Sequence, residues 1–199
     1  MDVFAAVIAA CWGLFGVVWI GAAFGGAADR PPDPIRASIS VPLAVIAWVS
    51  CALIVLVGRP VVAPLIITST WVRITGLGIL GASTAFAIWA RAVLGSSWSI
   101  GPQVGGDRRL RTRGPYAITR HPIYTGVFGM LVGTAIAVGG GVALVLIGVG
   151  LVALETKIRM EEPLLVAQFP NDYPAYRARV PQLIPGLRRR RSRGGDAGG

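Results

Sequence analysis

The sequence contains few residues that could bind a metal ion or form a disulfide bond. Only one histidine and two cysteines occur among its 199 residues. Cys11 and Cys51 both lie in long apolar runs, where a thiol behaves as a small apolar side chain. Neither a Cys-x-x-Cys nor a His-x-x-x-His spacing is present. The sequence therefore argues against a zinc site, a haem site or a disulfide framework.

Charged residues are also scarce. They make up 14% of the chain, against 54% for hydrophobic residues, and the apolar residues form long runs instead of alternating with polar ones. Such runs are typical of membrane-spanning helices. We therefore expect an all-α, polytopic membrane bundle of about five transmembrane helices, the last two forming a C-terminal helical hairpin. The predicted spans are residues 3–28, 39–58, 71–94, 123–138 and 142–154.

The chain divides into three predicted parts. Residues 1–70 hold the N-terminal transmembrane helices, residues 71–187 form the core, and residues 188–199 form a basic, disordered tail. The first span has no basic leader and no convincing cleavage context, so we interpret it as a retained helix and not as a cleaved signal peptide.

The formal net charge is +10, which raises the possibility of nucleic-acid binding. The arginines flank apolar spans, however, and no interleaved surface aromatics or nucleic-acid module accompany them, so we predict no nucleic-acid partner. Basic loops stay in the cytoplasm. With five spans the N-terminus is then outside, and the C-terminus is cytoplasmic. We expect the arginines of residues 188–193 to contact anionic lipid headgroups, each contributing about 1 kcal/mol.

Two glycine patterns have competing interpretations. The spacing of Gly76, Gly78 and Gly81 matches a dinucleotide-binding motif as text, but no strand precedes it and it lies within an apolar span. Close packing of membrane helices explains these glycines better, and it also explains Gly129 and Gly133.

Polar residues concentrate in two segments on either side of the predicted hairpin. The first is Arg120-His121-Pro122-Ile123-Tyr124-Thr125-Gly126, and the second is Lys157-Ile158-Arg159-Met160-Glu161-Glu162. Two antiparallel helices that leave residues 139–141 would bring these segments to a similar depth. Pro122 is suited to open a helix, whose free amides favour an anion.

The charged segment of the fifth span has its own pattern. Lys157 and Glu161 share a helix face, as do Glu155 and Arg159, while Glu162 points about 100° away from Glu161. The alternative is a set of ordinary helix ion pairs that extend to the headgroups. Ionisable residues within a membrane usually line a cavity, which favours a functional site.

The order of these motifs, with residues 169–185 after them, resembles the isoprenylcysteine carboxyl methyltransferase and phospholipid methyltransferase superfamily over roughly residues 89–185. The resemblance implies an S-adenosylmethionine-dependent enzyme that methylates a lipophilic acceptor, either a carboxylate or another lipid head group. It implies that the cofactor-binding residues are Gln103, Leu110, Tyr116, His121, Pro122, Ile123, Tyr124, Glu161 and Glu162.

The resemblance also implies a catalytic group of Lys157, Arg159 and Glu161, with one departure from the family pattern. Lys157 stands where the isoprenylcysteine enzymes carry an arginine that holds the substrate carboxylate. Lysine keeps the charge but loses the two-pronged grip on a carboxylate, so either Arg159 takes over or the substrate differs. Two other functions stay open: a sterol-type membrane reductase that uses NADPH, and a non-catalytic membrane scaffold.

Overall fold

The computed structural model describes residues 2–25, 69–94, 110–139 and 141–186. Within these ranges the chain forms helices and no strands, which confirms the all-α prediction. The helices are α1 (Val3–Gly25), α2 (Thr70–Leu94), α3 (Pro115–Ile118), α4 (Pro122–Val138), α5 (Gly141–Gln168) and α6 (Asp172–Arg179). Several predicted features lie outside the described residues: the second span, Cys51, Gln103 and the basic tail.

Two of these helices are long and apolar enough to cross a membrane. They are Val3–Gly21 within α1, with 19 residues, and Thr70–Leu94, with 25 residues. Helix α4 is apolar but has only 17 residues, so it is about 25 Å long, less than the roughly 30 Å of a hydrocarbon core. The predicted count of five spans is not tested, because one predicted span lies outside the described residues.

Large apolar side chains are exposed on three of the helices. Val17 on α1 is 70% exposed, Trp71 on α2 is 79% exposed and Val152 on α5 is 68% exposed. Water would disfavour so much exposed apolar area, whereas lipid chains would cover it. This surface agrees with the membrane location that composition predicts.

Helices α2 and α4 pack against each other in opposite directions. A Cβ atom added at Gly76 would lie 2.5 Å from the backbone nitrogen of Ala137, and one added at Gly133 would lie 2.5 Å from that of Leu80. Real Cβ atoms do not approach backbone so closely, so only glycine permits this spacing of the helices. The packing interpretation is therefore confirmed for Gly76 and Gly133.

The other predicted packing glycines divide into two groups. A Cβ atom at Gly129 would collide with the side chain of Ser83 on α2. Nothing lies within 4 Å of a Cβ atom placed at Gly78 or Gly81. Among these residues, close packing therefore explains Gly129 but not the two glycines that complete the apparent dinucleotide motif.

Helix α1 completes the bundle by packing on α2 and α4. The buried Trp12 Nε1 donates a hydrogen bond to Thr134 Oγ1 on α4 at 3.1 Å. At one end of the bundle, Arg73 Nη2 lies 3.1 Å from Asp2 Oδ2. The Nε of Arg73 donates to the carbonyl oxygen of Ala137 at 3.0 Å. Arg73 thus links α1, α2 and α4 at the end where α4 terminates.

Helix α5 extends well beyond the predicted apolar run, which ends at residue 154. It continues to Gln168, with Pro163 inside the helix. The extension carries the charged residues, and two pairs spaced four apart support it: Lys157 Nζ lies 3.3 Å from Glu161 Oε1, and Arg159 Nε lies 3.1 Å from Glu155 Oε1. This polar extension is the part of α5 that faces the motif at the start of α4.

Candidate functional site

The hairpin of α4 and α5 brings the two polar segments together. The Tyr124 hydroxyl on α4 donates a hydrogen bond of 2.7 Å to Glu161 Oε1 on α5. The Lys157 Nζ lies 3.3 Å from the same oxygen. The expectation that these segments lie at similar depth is therefore confirmed, and Tyr124, Lys157 and Glu161 form one contact group.

The start of α4 places a histidine beside this group. Pro122 is the first residue of the helix, and no side chain caps the first turn. The ring of His121 stacks on that of Tyr124, with centroids 5.7 Å apart and planes inclined by 14°. His121 is buried, and its Nε2 has no hydrogen-bond partner in the described parts of the chain. A buried polar atom of this kind is expected to meet a ligand or water.

Glu162 belongs to a different contact group from Glu161. Its Oε1 lies 2.7 Å from Arg120 Nη2 and accepts a 3.4 Å contact from the Tyr173 hydroxyl, while Oε2 lies 3.6 Å from Arg177 Nη2. Burial alone would raise the pKa of Glu162, but nearby His121, Arg120 and Arg177 outweigh it and lower that pKa. The Glu162 carboxylate is therefore charged and held by cations.

The C-terminal arm, defined here as residues 172–186, covers the motif. It begins with α6 and continues as a segment without helix. Hydrogen bonds join this segment to the start of α4: from Arg120 N to Pro181 O at 2.8 Å, from His121 N to Gln182 O at 3.2 Å, and from Thr125 Oγ1 to Leu183 O at 2.7 Å. The Gln182 side chain also donates to Glu155 Oε2 at 2.8 Å. The arm is thus fastened to both helices of the hairpin.

Helix α3 closes a second side of the site through Tyr116. The Tyr176 hydroxyl on α6 donates a hydrogen bond of 2.6 Å to the carbonyl oxygen of Tyr116. Burial raises the pKa of Tyr176 to about 12 and that of Tyr116 further. Both phenols are therefore neutral at physiological pH, and they add polar groups to the site without adding charge.

The structure also locates three other predicted site residues, Leu110, Ile123 and Arg159. Ile123 is half-buried in the first turn of α4, and Leu110 is half-buried where the described segment begins. The Arg159 side chain is 70% exposed and pairs with Glu155, not with Glu161. The structure therefore brings Lys157 rather than Arg159 to the Tyr124 and Glu161 group.

Sequence reasoning assigned no role to the residues that fasten the arm. The resemblance extended through residues 169–185, and Tyr173, Tyr176 and Gln182 lie in that segment. The available signal was the aromatic and basic character of the segment directly after an apolar hairpin. Their partners on α3 and α5 are 11 to 60 residues away in sequence, so no local pattern identified them.

The described residues form an apolar, all-helical bundle of the membrane-protein class. Its polar site lies where the helical hairpin of α4 and α5 meets the C-terminal arm. The chain belongs to the phospholipid methyltransferase family, whose sequence model matches residues 71–172. This places it in the isoprenylcysteine carboxyl methyltransferase and phospholipid methyltransferase superfamily, as its motifs predicted.

The proteins similar to this chain include a curated enzyme and a solved structure. The protein-S-isoprenylcysteine O-methyltransferase of Schizosaccharomyces pombe is 39% identical over 80 residues, a match that covers 40% of this chain and 34% of the relative. The match thus spans about a third of the relative's length. The solved structure of the eukaryotic intramembrane Ras methyltransferase, isoprenylcysteine carboxyl methyltransferase, aligns with a TM-score of 0.55 at 19% identity. That alignment covers 91% of this chain and 68% of the other, and it shows a shared fold.

Proposed function

We propose that this protein is an integral membrane methyltransferase that uses S-adenosylmethionine to methylate a lipophilic acceptor. One observation carries the proposal. The Tyr124, Lys157 and Glu161 group lies beside a buried histidine whose Nε2 has no hydrogen-bond partner in the described residues. This group and His121 belong to the part of the chain that matches the phospholipid methyltransferase family.

The described residues fit the chemical groups of the donor. S-adenosylmethionine carries an ammonium and a sulfonium, for which an acidic side chain and aromatic faces are suitable partners. Glu161, Tyr124 and Tyr116 supply these. The donor's carboxylate suits the uncapped first turn of α4. When bound, the donor supplies an electrophilic methyl group.

Lys157 is the residue that we assign to the acceptor. Its side chain is 18% exposed and lies within the contact group, whereas that of Arg159 is 70% exposed and lies outside it. A lysine ammonium is a compact point charge on a flexible stem, so it can follow an anionic head group of variable shape. Lys157 thus orients the acceptor's nucleophile, while Glu161 balances the positive charge of Lys157.

Positioning and exclusion of water would supply much of the rate enhancement. Tyr116 is buried, and the arm covers the motif through hydrogen bonds of its own backbone. These elements keep water from the cationic and anionic groups of the site. The acceptor's apolar tail would lie along the exposed apolar side chains of the helices, among lipid chains.

The proposed orientation places the site at the cytoplasmic face and the N-terminus outside. Among the described residues, Arg113 and Arg120 precede α4 and Arg177 and Arg179 follow α5, so basic residues flank the site end of the hairpin, where the positive-inside rule predicts cytoplasm. The donor, which is water-soluble, would then enter from the cytoplasm.

The proposal is tested by incubating membranes that contain the protein with methyl-labelled S-adenosylmethionine and extracting the lipids. We expect label in a lipophilic product with the wild type and a loss of at least about a hundredfold with Glu161→Gln, which removes the charge from the contact group. Lys157→Ala should reduce turnover more than donor affinity. Transfer that is undiminished in Glu161→Gln membranes would contradict the assignment of this site.

A further inference from the structure

Neighbouring glutamates on α5 face two different surroundings. The side chain of Glu161 is 23% exposed and contacts Tyr124 and Lys157. The side chain of Glu162 is 11% exposed and contacts residues of the motif and of α6. The contacts of Glu162 thus join three parts of the chain: α5, the segment that leads into α4, and the arm.

Glu162 has little capacity left for a ligand. Both carboxylate oxygens already face guanidinium groups, those of Arg120 at 2.7 Å and Arg177 at 3.6 Å. The Tyr173 hydroxyl shares the oxygen that Arg120 occupies. A donor ammonium would have to compete with these cations, whereas Glu161 faces one lysine and a neutral phenol.

The contacts of Glu162 bear directly on His121. Arg120 is the residue before it, and the backbone amides of both donate to carbonyl oxygens of the arm. Arg120 Nη1 also donates to the carbonyl oxygen of Arg177 at 3.1 Å. The Nε2 of His121 lies 3.7 Å from Glu162 Oε1, too far for a hydrogen bond. The carboxylate therefore lies beside the imidazole and contacts the residue that precedes it.

We propose that Glu162 is a positioning residue, which fastens the C-terminal arm to Arg120 and so holds His121 in place for the donor. Glu162 does not itself contact the donor. This inference rests on the proposed function for the identity of the ligand, and on the geometry alone for the fastening of the arm.

The test uses three variants of the purified full-length protein: Glu162→Gln, Arg120→Gln and the double variant. Glu162→Gln leaves the buried Arg120 guanidinium without its anion, and Arg120→Gln leaves Glu162 only the 3.6 Å contact with Arg177, whereas the double change removes both charges of the close pair. Arg113→Gln, at an exposed position in the same region, controls for the loss of a positive charge. Circular dichroism establishes that each variant is folded.

The first measurement is hydrogen exchange of the backbone amides of residues 172–186 in the absence of ligand. Exchange should be about tenfold faster in each single variant, because a charge-assisted contact is lost, and should not rise further in the double variant, because both changes break the same contact. It should stay at the wild-type rate in Arg113→Gln. Arm exchange that is unchanged in Glu162→Gln would overturn the proposed fastening.

Titration with S-adenosylhomocysteine then separates positioning from direct contact. Affinity should fall by about tenfold in each single variant and by no more in the double variant, because Glu162 and Arg120 act through one contact. A double variant that loses affinity by the product of the two single losses would show that Glu162 contacts the ligand independently of Arg120 and would overturn the inference. If the wild type binds no S-adenosylhomocysteine, the proposed function fails, and arm exchange alone decides whether Glu162 fastens the arm.

Discussion

The glycine-lined contact of α2 with α4 and the polar site at the start of α4 are held together in different ways. In the first, backbone meets backbone at Gly76 and Gly133, and the charged Arg73 contacts only its end, at the carbonyl oxygen of Ala137. In the second, side chains from α4, α5 and the arm meet through ion pairs and hydrogen bonds. The first arrangement fixes where the helices lie, and the second leaves polar atoms available for a ligand.

The largest effect on stability is expected at the glycine contact. Gly133→Ala places a Cβ atom 2.5 Å from the backbone nitrogen of Leu80, so the helices must move apart at a cost of about 1–3 kcal/mol. Gly81→Ala is the matched control, because nothing lies within 4 Å there. Thermal unfolding in detergent should show a clear loss for the first variant and little change for the second. Equal losses would contradict the backbone contact.

At the polar site, Tyr124→Phe should weaken donor binding without comparable damage to the fold. It removes the 2.7 Å hydrogen bond to Glu161, and a bond to a charged group is worth about 1.5–3 kcal/mol. We expect at least a tenfold loss of affinity for S-adenosylhomocysteine by calorimetry. Tyr173→Phe is the comparison, since its contact with Glu162 is 3.4 Å long, and it should cause a smaller loss. The reverse order would mean that Glu162, not Glu161, meets the donor.

The helical hairpin and the meeting of its polar ends were predictable from sequence. The run of glycines at residues 139–141 marks the turn, and helix geometry then sets Tyr124 and Lys157 at similar depth. The left-handed conformation of Gly139, with φ of 73°, agrees with a turn at that point.

The surroundings of Glu162 were not predictable in the same way. Helix periodicity separated it from Glu161, but its cations come partly from α6, and a short charged helix gives no signal for what it will contact. Helical spacing was predicted as far as Glu162, whereas α5 continues to Gln168 with Pro163 inside the helix.

Acid should loosen the arm while leaving the glycine contact intact. The folded-state pKa of Glu162 is lowered, so its stabilising contribution is present above its ordinary pKa of 4.5 and is lost as pH falls through the lowered value. Hydrogen exchange corrected for intrinsic rates should show faster exchange of residues 172–186 in this acid range, with α4 still protected at Gly133. Glu162→Gln should remove much of this pH dependence.

The smallest effect is expected for Arg159→Gln. The side chain is 70% exposed and its ion pair with Glu155 lies at the surface, so the loss of stability should be no more than about 0.5 kcal/mol. Its effect on methyl transfer should be much smaller than that of Lys157→Ala. A larger loss of turnover for Arg159→Gln would assign the acceptor to Arg159.

The most direct test is isothermal titration calorimetry of the purified protein with S-adenosylhomocysteine and, separately, with NADPH. We predict saturable binding of S-adenosylhomocysteine by the wild type, loss of that binding in His121→Ala and Glu161→Ala, and no binding of NADPH. A wild-type protein that binds NADPH but not S-adenosylhomocysteine, or that binds neither, would contradict the account.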